Sequence, residues 1–156
     1  MSMADRSVQA AYWVAYRLHL LWAFLFRPEC HGVWVAVWSG GELLLIRNGY
    51  RNSITLPGGG IDGSESPRLA AARELQEEVG IRVPPEQLTF RGEYLSHCEF
   101  KRDHINLFEV ELDAEPEVRL DKREVVWASM CHPERARQLK LFPVLRTYLE
   151  ERTGDA

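Results

Sequence analysis

Cysteine is scarce in this 156-residue chain: Cys30, Cys98 and Cys131 make an odd count with no C-x-x-C pair. A disulfide framework is therefore not expected, and a reducing, cytoplasmic setting is. There is no excess of positive charge either, since 19 Lys and Arg stand against 23 Asp and Glu for a formal charge of −4. That balance excludes a broad nucleic-acid-binding surface but leaves room for a local basic patch holding a phosphate. No internal repeat or low-complexity tract is present. No uninterrupted apolar run reaches the roughly 20 residues that a bilayer-spanning helix needs. Residues 10–26 come nearest, but Arg17 and His19 break them and Arg27-Pro28 follows. No small-residue cleavage site comes after them, so a signal peptide is not expected. What remains, 46% hydrophobic and 27% charged residues, suits one globular domain.

At 100° per residue, residues 10–26 place Val14, Leu18, Leu21, Trp22 and Leu25 on one aliphatic face of a helix. The other side carries Gln9, Tyr16, Arg17, His19 and Arg27 together with Trp13, Leu20 and Phe24. A helix this apolar all round is expected to pack on the domain and bury its second side against another copy, giving a homodimer. The alternative is peripheral membrane contact in the headgroup region. Residues 1–31 then form an N-terminal apolar helix and linker, and 32–156 the main globular domain.

Beyond the linker, residues 33–38 and 42–47 read as strands joined by the turn Ser39-Gly40-Gly41. A polar loop over 48–53 and a short strand over 54–56 follow, and Pro57-Gly58-Gly59-Gly60 is expected to break regular structure. Ser66 as N-cap and Pro67 open a helix that Gly80 closes. Residues 88–98 and 104–112 read as a strand pair turning at Lys101-Arg102-Asp103. An acidic loop covers 113–122 and a last strand 125–129. Residues 133–152 read as helical, interrupted at Pro143. The sum is an α+β fold, a mixed sheet with helices on it.

The chemistry concentrates in residues 59–81, GGIDGSESPRLAAARELQEEVGI. Leu69, Ala72, Leu75 and Val79 form an apolar stripe expected to seat the helix on the sheet. Glu74, Glu77 and Glu78 stand at i, i+3 and i+4, where each like-charged pair costs roughly 0.2–0.5 kcal/mol. A divalent cation reverses that cost, and hard oxygen ligands point to Mg²⁺, with Mn²⁺ as the other candidate. Arg73, one turn before Glu77, can fix a carboxylate's orientation. Gly58, Gly59 and Gly60 permit close backbone approach, and a carbonyl there can join a metal shell.

Gly59, Glu65, Arg73, Glu74, Leu75, Glu77, Glu78, Gly80 and Ile81 fill every fixed position of G-x5-E-x7-R-E-U-x-E-E-x-G-U, where U is aliphatic. With this pattern the chain resembles the Nudix hydrolases. The resemblance implies an α/β/α sandwich, here with an additional N-terminal helix. It also implies hydrolysis of a nucleoside diphosphate linked to another group, by water attack at phosphorus. Carried across, Glu77 and Glu78 are metal ligands, with Glu74 either a further ligand or the general base. Arg73 orients a glutamate, Gly59 offers its carbonyl, and Glu65 supports the loop–helix junction or binds a second metal. Asp121 and Glu124 are candidates for an extra acid from a distal loop.

Outside the motif, Arg47, Tyr50 and Arg51 are candidates to grip a phosphate or stack on a base. Lys101, Arg102 and His104 form a second basic cluster. Trp127 and Phe108 are expected in the core. Cys30-His31, His97-Cys98 and Cys131-His132 lack zinc-finger spacing, and no zinc site is expected. Two other functions compete with the hydrolase. A non-catalytic nucleotide sensor on the same fold is disfavoured by the intact glutamates. An isoprenoid diphosphate isomerase is disfavoured by the complete hydrolase motif.

Overall fold

The computed structural model describes residues 3–26, 29–97, 102–120 and 124–154, with side chains throughout these except at residues 3–7 and 23. Cys98, Lys101 and Asp121 lie outside the described residues, as do Arg27-Pro28. Helix α1 (Met3–Phe26) precedes strands β1 (Glu29–Ser39) and β2 (Glu42–Asn48). Strand β3 (Gly58–Gly60), helix α2 (Pro67–Val79), β4 (Thr89–Ser96) and β5 (Arg102–Leu112) come next. Strand β6 (Val125–Cys131) and helices α3 (Pro133–Ala136) and α4 (Pro143–Thr153) complete the order.

The sheet runs β4-β5-β1-β2-β6, with β3 added on β1. It is mixed because β1 pairs parallel with β5 from Glu29↔Arg102 to Ser39↔Leu112, while the other pairings between strands among the described residues are antiparallel. Gly40 and Gly41, at φ 57° and 81°, make the β1–β2 hairpin turn in the left-handed region that favours glycine. Alternation along the strands builds two cores. Val33, Val35, Val37, Leu44 and Ile46 face Ala70, Ala71, Leu75 and Val79 of α2. Trp34, Ala36, Trp38, Leu43 and Leu45 face Val144, Leu145, Tyr148 and Leu149 of α4. The α/β/α layering is thus present.

Several boundaries differ from the sequence expectation. Gly58–Gly60 does not break regular structure but pairs with β1 as Gly32↔Gly60, Val33↔Gly59 and Trp34↔Gly58. Glycine is required for this approach: a Cβ at Gly58, where φ is +152°, would lie 2.0 Å from the Val33 carbonyl oxygen. Residues 54–56 form single bridges, Ile46↔Thr55 and Ile54↔Leu141, rather than a strand of their own. Arg102 and Asp103 belong to β5 and pair with Glu29 and Cys30 instead of turning. The C-terminal helical stretch is two helices, separated by residues 137–142 that bring Leu141 beside Ile54.

Two amphipathic faces are rotated from expectation. On α2 the buried residues are Ala70, Ala71, Leu75, Glu78 and Val79, whereas Leu69 is 52% exposed. Leu75 and Val79 of the expected stripe are buried, joined by Ala70, Ala71 and Glu78, and Leu69 faces outward. On α1 the aliphatic face of Val14, Leu18, Leu21, Trp22 and Leu25 is exposed. The helix meets the domain through its other side, where the Tyr16 ring lies 4.9 Å from that of Tyr50.

Candidate active site

Ser66 Oγ accepts from the Leu69 amide, Pro67 occupies the first turn and Gly80 ends α2 at φ 73°. These local signals fix where the helix starts and therefore which glutamates reach the glycine strand. Glu78, only 5% exposed, accepts from the Gly58 amide at 2.8 Å. Glu74 lies against Gly59 so closely that a Cβ there would meet its carboxylate at 2.6–2.8 Å. Glu77 is largely exposed.

Arg73 ties this group together. Its Nη2 donates to Glu65 Oε1 at 2.6 Å and to the Gly60 carbonyl at 2.9 Å. Its Nη1 donates to Glu74 Oε1 at 2.8 Å and Glu77 Oε2 at 3.2 Å. The planar guanidinium bridges strand, loop and helix in a way an ammonium cannot. The Asp62 amide also donates to Glu65 (2.8 Å), so Glu65 sits at the loop–helix junction. Hydrogen bonds from Arg73 and that amide hold the Glu65 carboxyl below the usual carboxylate range. Burial raises Glu74 against the opposing pull of Arg73. Burial, followed by the charges of Glu124 and Glu74, pushes Glu78 up to about 8, although the Gly58 amide opposes it.

Glu124, from a distant loop, lies near enough to the motif for its charge to raise Glu74 and Glu78. The backbone fixes it there, because the Gly49 amide donates to the Glu124 carbonyl at 2.8 Å. The Tyr50 hydroxyl donates to the Glu124 carboxylate, and Asn48 Nδ2 donates to Tyr50 Oη (3.1 Å) and Glu124 Oε1 (3.3 Å). Burial and the neighbouring Glu124 raise the Tyr50 hydroxyl well above the usual phenol range, so it stays a donor. A slip in β2–β6 register between Arg47 and Asn48 accompanies this arrangement.

Beside the glycine strand lies a cleft of about 270 Å³, opened where β2 parts from β1. Gly58, Gly59, Gly60, Asn48, Tyr50, Arg51 and Glu124 line it along with Trp34, Asp103 and Phe142. Of the candidate substrate residues, Tyr50 and Arg51 thus reach the cleft, while Arg47 is exposed and does not line it. Arg51 has its guanidinium carbon 5.6–5.8 Å from the rings of Tyr16, Tyr50 and Phe142. Arg102 pairs with Glu29 at 3.3 Å. His104 contacts Glu93 and stacks at 4.8 Å on His31, which lines the cleft, and does not line it itself. Phe108 is buried and Trp127 packs against the core.

Sequence reasoning did not single out Asn48, Asp103, Trp34 and Phe142. A buried amide ending an otherwise apolar strand is a weak signal for Asn48. For Asp103, Trp34 and Phe142 only the fold brings them to the cleft.

Among the described residues, no three His, Cys, Asp or Glu side chains converge closely enough to hold a metal, and Arg73 engages Glu74 and Glu77. The donor chemistry nevertheless fits a hard cation. Glu78 is a buried carboxyl flanked by Glu74 and Glu124, beside backbone carbonyls that complement a few carboxylates and waters around Mg²⁺.

The sequence profile of the NUDIX domain matches residues 29–151. A MutT-like protein of Streptomyces ambofaciens is 43% identical over 65 residues, 40% of this chain and 42% of that one. An RNA pyrophosphohydrolase of Rhizobium meliloti (strain 1021) is 46% identical over 65 residues, 36% of this chain and 38% of that one. The chain thus spans less than half the length of these curated relatives. Among solved structures, a C. elegans Ap4A hydrolase binary complex superposes with a TM-score of 0.69 at 22% identity. That match covers 80% of this chain and 96% of that one. A MutT protein from Methanosarcina mazei Go1 gives 0.70 at 24% identity, covering 81% and 94%. These likenesses show the same fold. With one profile spanning the sheet, the glycine strand and the carboxylate helix, the chain belongs to the NUDIX family.

Proposed function

We propose that this protein hydrolyses a phosphoanhydride bond in a nucleoside diphosphate linked to another group, and that it requires Mg²⁺ or Mn²⁺. The observation carrying this reading is the junction of Glu74 and Glu78 with the glycine strand, clamped by Arg73 and adjoining a cleft. Glu77, Glu78 and Glu74 would hold the metal, with the Gly59 carbonyl beside them. A bound divalent cation would supply charge neutralisation at phosphate and a lowered pKa for an attacking water. Arg73 keeps Glu74 and Glu77 in fixed orientation, and Arg51 on the cleft wall offers a cation to the phosphates. Glu124, held by Tyr50 and Asn48, or Glu74 takes the proton as the water oxygen bonds to phosphorus. The bridging P–O bond breaks and the leaving phosphate departs with the bridging oxygen.

The test is product release from a panel of nucleoside diphosphate derivatives with Mg²⁺ or Mn²⁺, run on wild type, Glu77→Gln and Glu78→Gln. Metal-dependent turnover that collapses in both variants supports the hydrolase. Absence of turnover, with one compound raising the melting temperature equally in all three proteins, would replace it with a nucleotide sensor.

The proposed organisation adds the apolar segment 1–31 to a catalytic domain, 32–156, in a cytoplasmic homodimer. No helix among the described residues is long and apolar enough to cross a membrane. The exposed aliphatic face of α1 supports pairing of two copies. Light scattering of wild type beside Leu18→Glu/Leu25→Glu checks this, with a change from dimer to monomer expected. A wild-type monomer that co-sediments with liposomes would replace the dimer with peripheral membrane contact.

A further inference from the structure

Glu124 is held by a side chain that the sheet itself does not fix. Strand β2 ends its pairing with β6 at Asn48↔Val125, so Tyr50 lies beyond the last rung of that ladder. The Tyr50 ring must nevertheless keep one place, because its hydroxyl donates to the Glu124 carboxylate and accepts from Asn48 Nδ2. A hydrogen bond weakens steeply as its donor swings out of line, so a loose ring leaves Glu124 a poorer partner.

Helix α1 supplies a support for that ring. Tyr50 is half-buried, and the Tyr16 ring packs on it with centroids 4.9 Å apart and planes tilted by 40°. Such aromatic pairs attract beyond the area they bury, and their geometry is specific. The Arg51 guanidinium carbon lies 5.7 Å from the Tyr16 centroid and 5.6 Å from that of Tyr50, so one cation serves both rings. Among residues 10–26 with described side chains, only Tyr16, His19 and Leu20 are half-buried, and the others are exposed. Tyr12, Tyr16 and His19 stand at i, i+4 and i+7 on one helix face, and with Tyr50 and Glu124 they line a gap of about 310 Å³. The helix thus meets the domain at the residue that grips Glu124.

We propose that Tyr16 is a positioning residue for the reaction: it fixes the Tyr50 ring and, through the Tyr50 hydroxyl, orients Glu124 toward the attacking water. The inference rests on the hydrolase reading, with Glu124 as the group that takes the proton of that water. It gives α1, which lies outside the segment matched by the NUDIX profile, a part in setting the rate.

The test compares the full-length chain with Tyr16→Ala, Tyr16→Phe, Tyr50→Phe and the double variant Tyr16→Ala/Tyr50→Phe. The substrate is the nucleoside diphosphate derivative that wild type hydrolyses fastest with Mg²⁺. Tyr16→Ala is expected to lower kcat by about threefold to tenfold and to move KM less than about twofold, since Arg51 keeps the rings of Tyr50 and Phe142. Tyr16→Phe, which retains the ring, should restore most of the rate. In the double variant kcat should match that of Tyr50→Phe alone, because the hydroxyl through which Tyr16 acts is already gone. Losses that multiply in the double variant, a Tyr16→Phe as slow as Tyr16→Ala, or a change in KM with kcat intact would overturn the proposal. Hydrogen exchange at the Gly49 amide, which donates to the Glu124 carbonyl at 2.8 Å, reports the same support without turnover. It should run about tenfold faster in Tyr16→Ala and near the wild-type rate in Tyr16→Phe. Equal exchange in all three overturns the proposal whatever the turnover, whereas faster exchange in a protein that hydrolyses nothing keeps the support of Tyr50 and rejects the hydrolase reading.

Discussion

Replacing Glu78 by Gln separates the cost of a buried carboxylate from its use. The wild-type group is 5% exposed, accepts from the Gly58 amide and has its carboxyl raised from 4.5 to about 8 by burial and by Glu124 and Glu74. The folded chain therefore keeps a proton that the unfolded chain releases near 4.5, so stability falls as pH climbs from there to about 8. At about 1.36 kcal/mol per pH unit, the full loss is roughly 5 kcal/mol. Gln retains an acceptor for Gly58 but cannot ionise. In EDTA the melting temperatures of the two proteins should lie close together near pH 5 and diverge toward pH 9, with the variant the more stable. A chain of this size shifts by about 2–4 °C per kcal/mol, so even a fraction of the full effect is measurable by calorimetry. Adding Mg²⁺ at pH 9 should restore wild type and leave the variant unmoved. Parallel melting curves across the pH range would refute the reasoning.

Other perturbations have equally definite outcomes. Leu75→Ala should cost about 2–5 kcal/mol by urea unfolding, whereas Leu69→Ala should stay within about 0.5 kcal/mol, because α2 is rotated to bury the former. Gly58→Ala should cost at least about 3 kcal/mol or prevent folding, since its Cβ has no space beside Val33. Arg73→Lys should keep the charge yet lower kcat/KM about a hundredfold, because a point charge cannot bridge Glu65, Glu74 and Glu77 together. Tyr50→Phe, which removes the hydroxyl donor and leaves Asn48 on Glu124, should lower kcat about tenfold while changing stability by less than about 1.5 kcal/mol.

The carboxylate helix was legible because its information is local. Ser66, Pro67 and Gly80 mark its ends, and the charged spacing from Glu74 to Glu78 is fixed by helix geometry alone. The β1–β2 hairpin was legible for the same reason. Less visible was which side of a helix a fold chooses. A stripe through Leu69, Leu75 and Val79 predicts the seat of α2; Leu75 and Val79 do seat it, but Ala70, Ala71 and Glu78 join them and Leu69 is left exposed. Gly58–Gly60 reads as a breaker because glycine disfavours strands on average, yet here only glycine permits β3 to approach β1. Asn48, Asp103 and Phe142 come from segments far apart in the chain, and their meeting is a product of sheet order rather than of spacing.

The cleft's glycine strand also bears on how this site can change. Its floor is main chain, and main-chain amides and carbonyls keep their identity whatever codon specifies the residue. Under the proposed hydrolase function, substitutions that redirect substrate choice would arise on the walls, at Asn48, Arg51, Asp103 and Phe142. A ligand preference can be rewritten there one residue at a time, while the carboxylates beneath the floor keep their alignment.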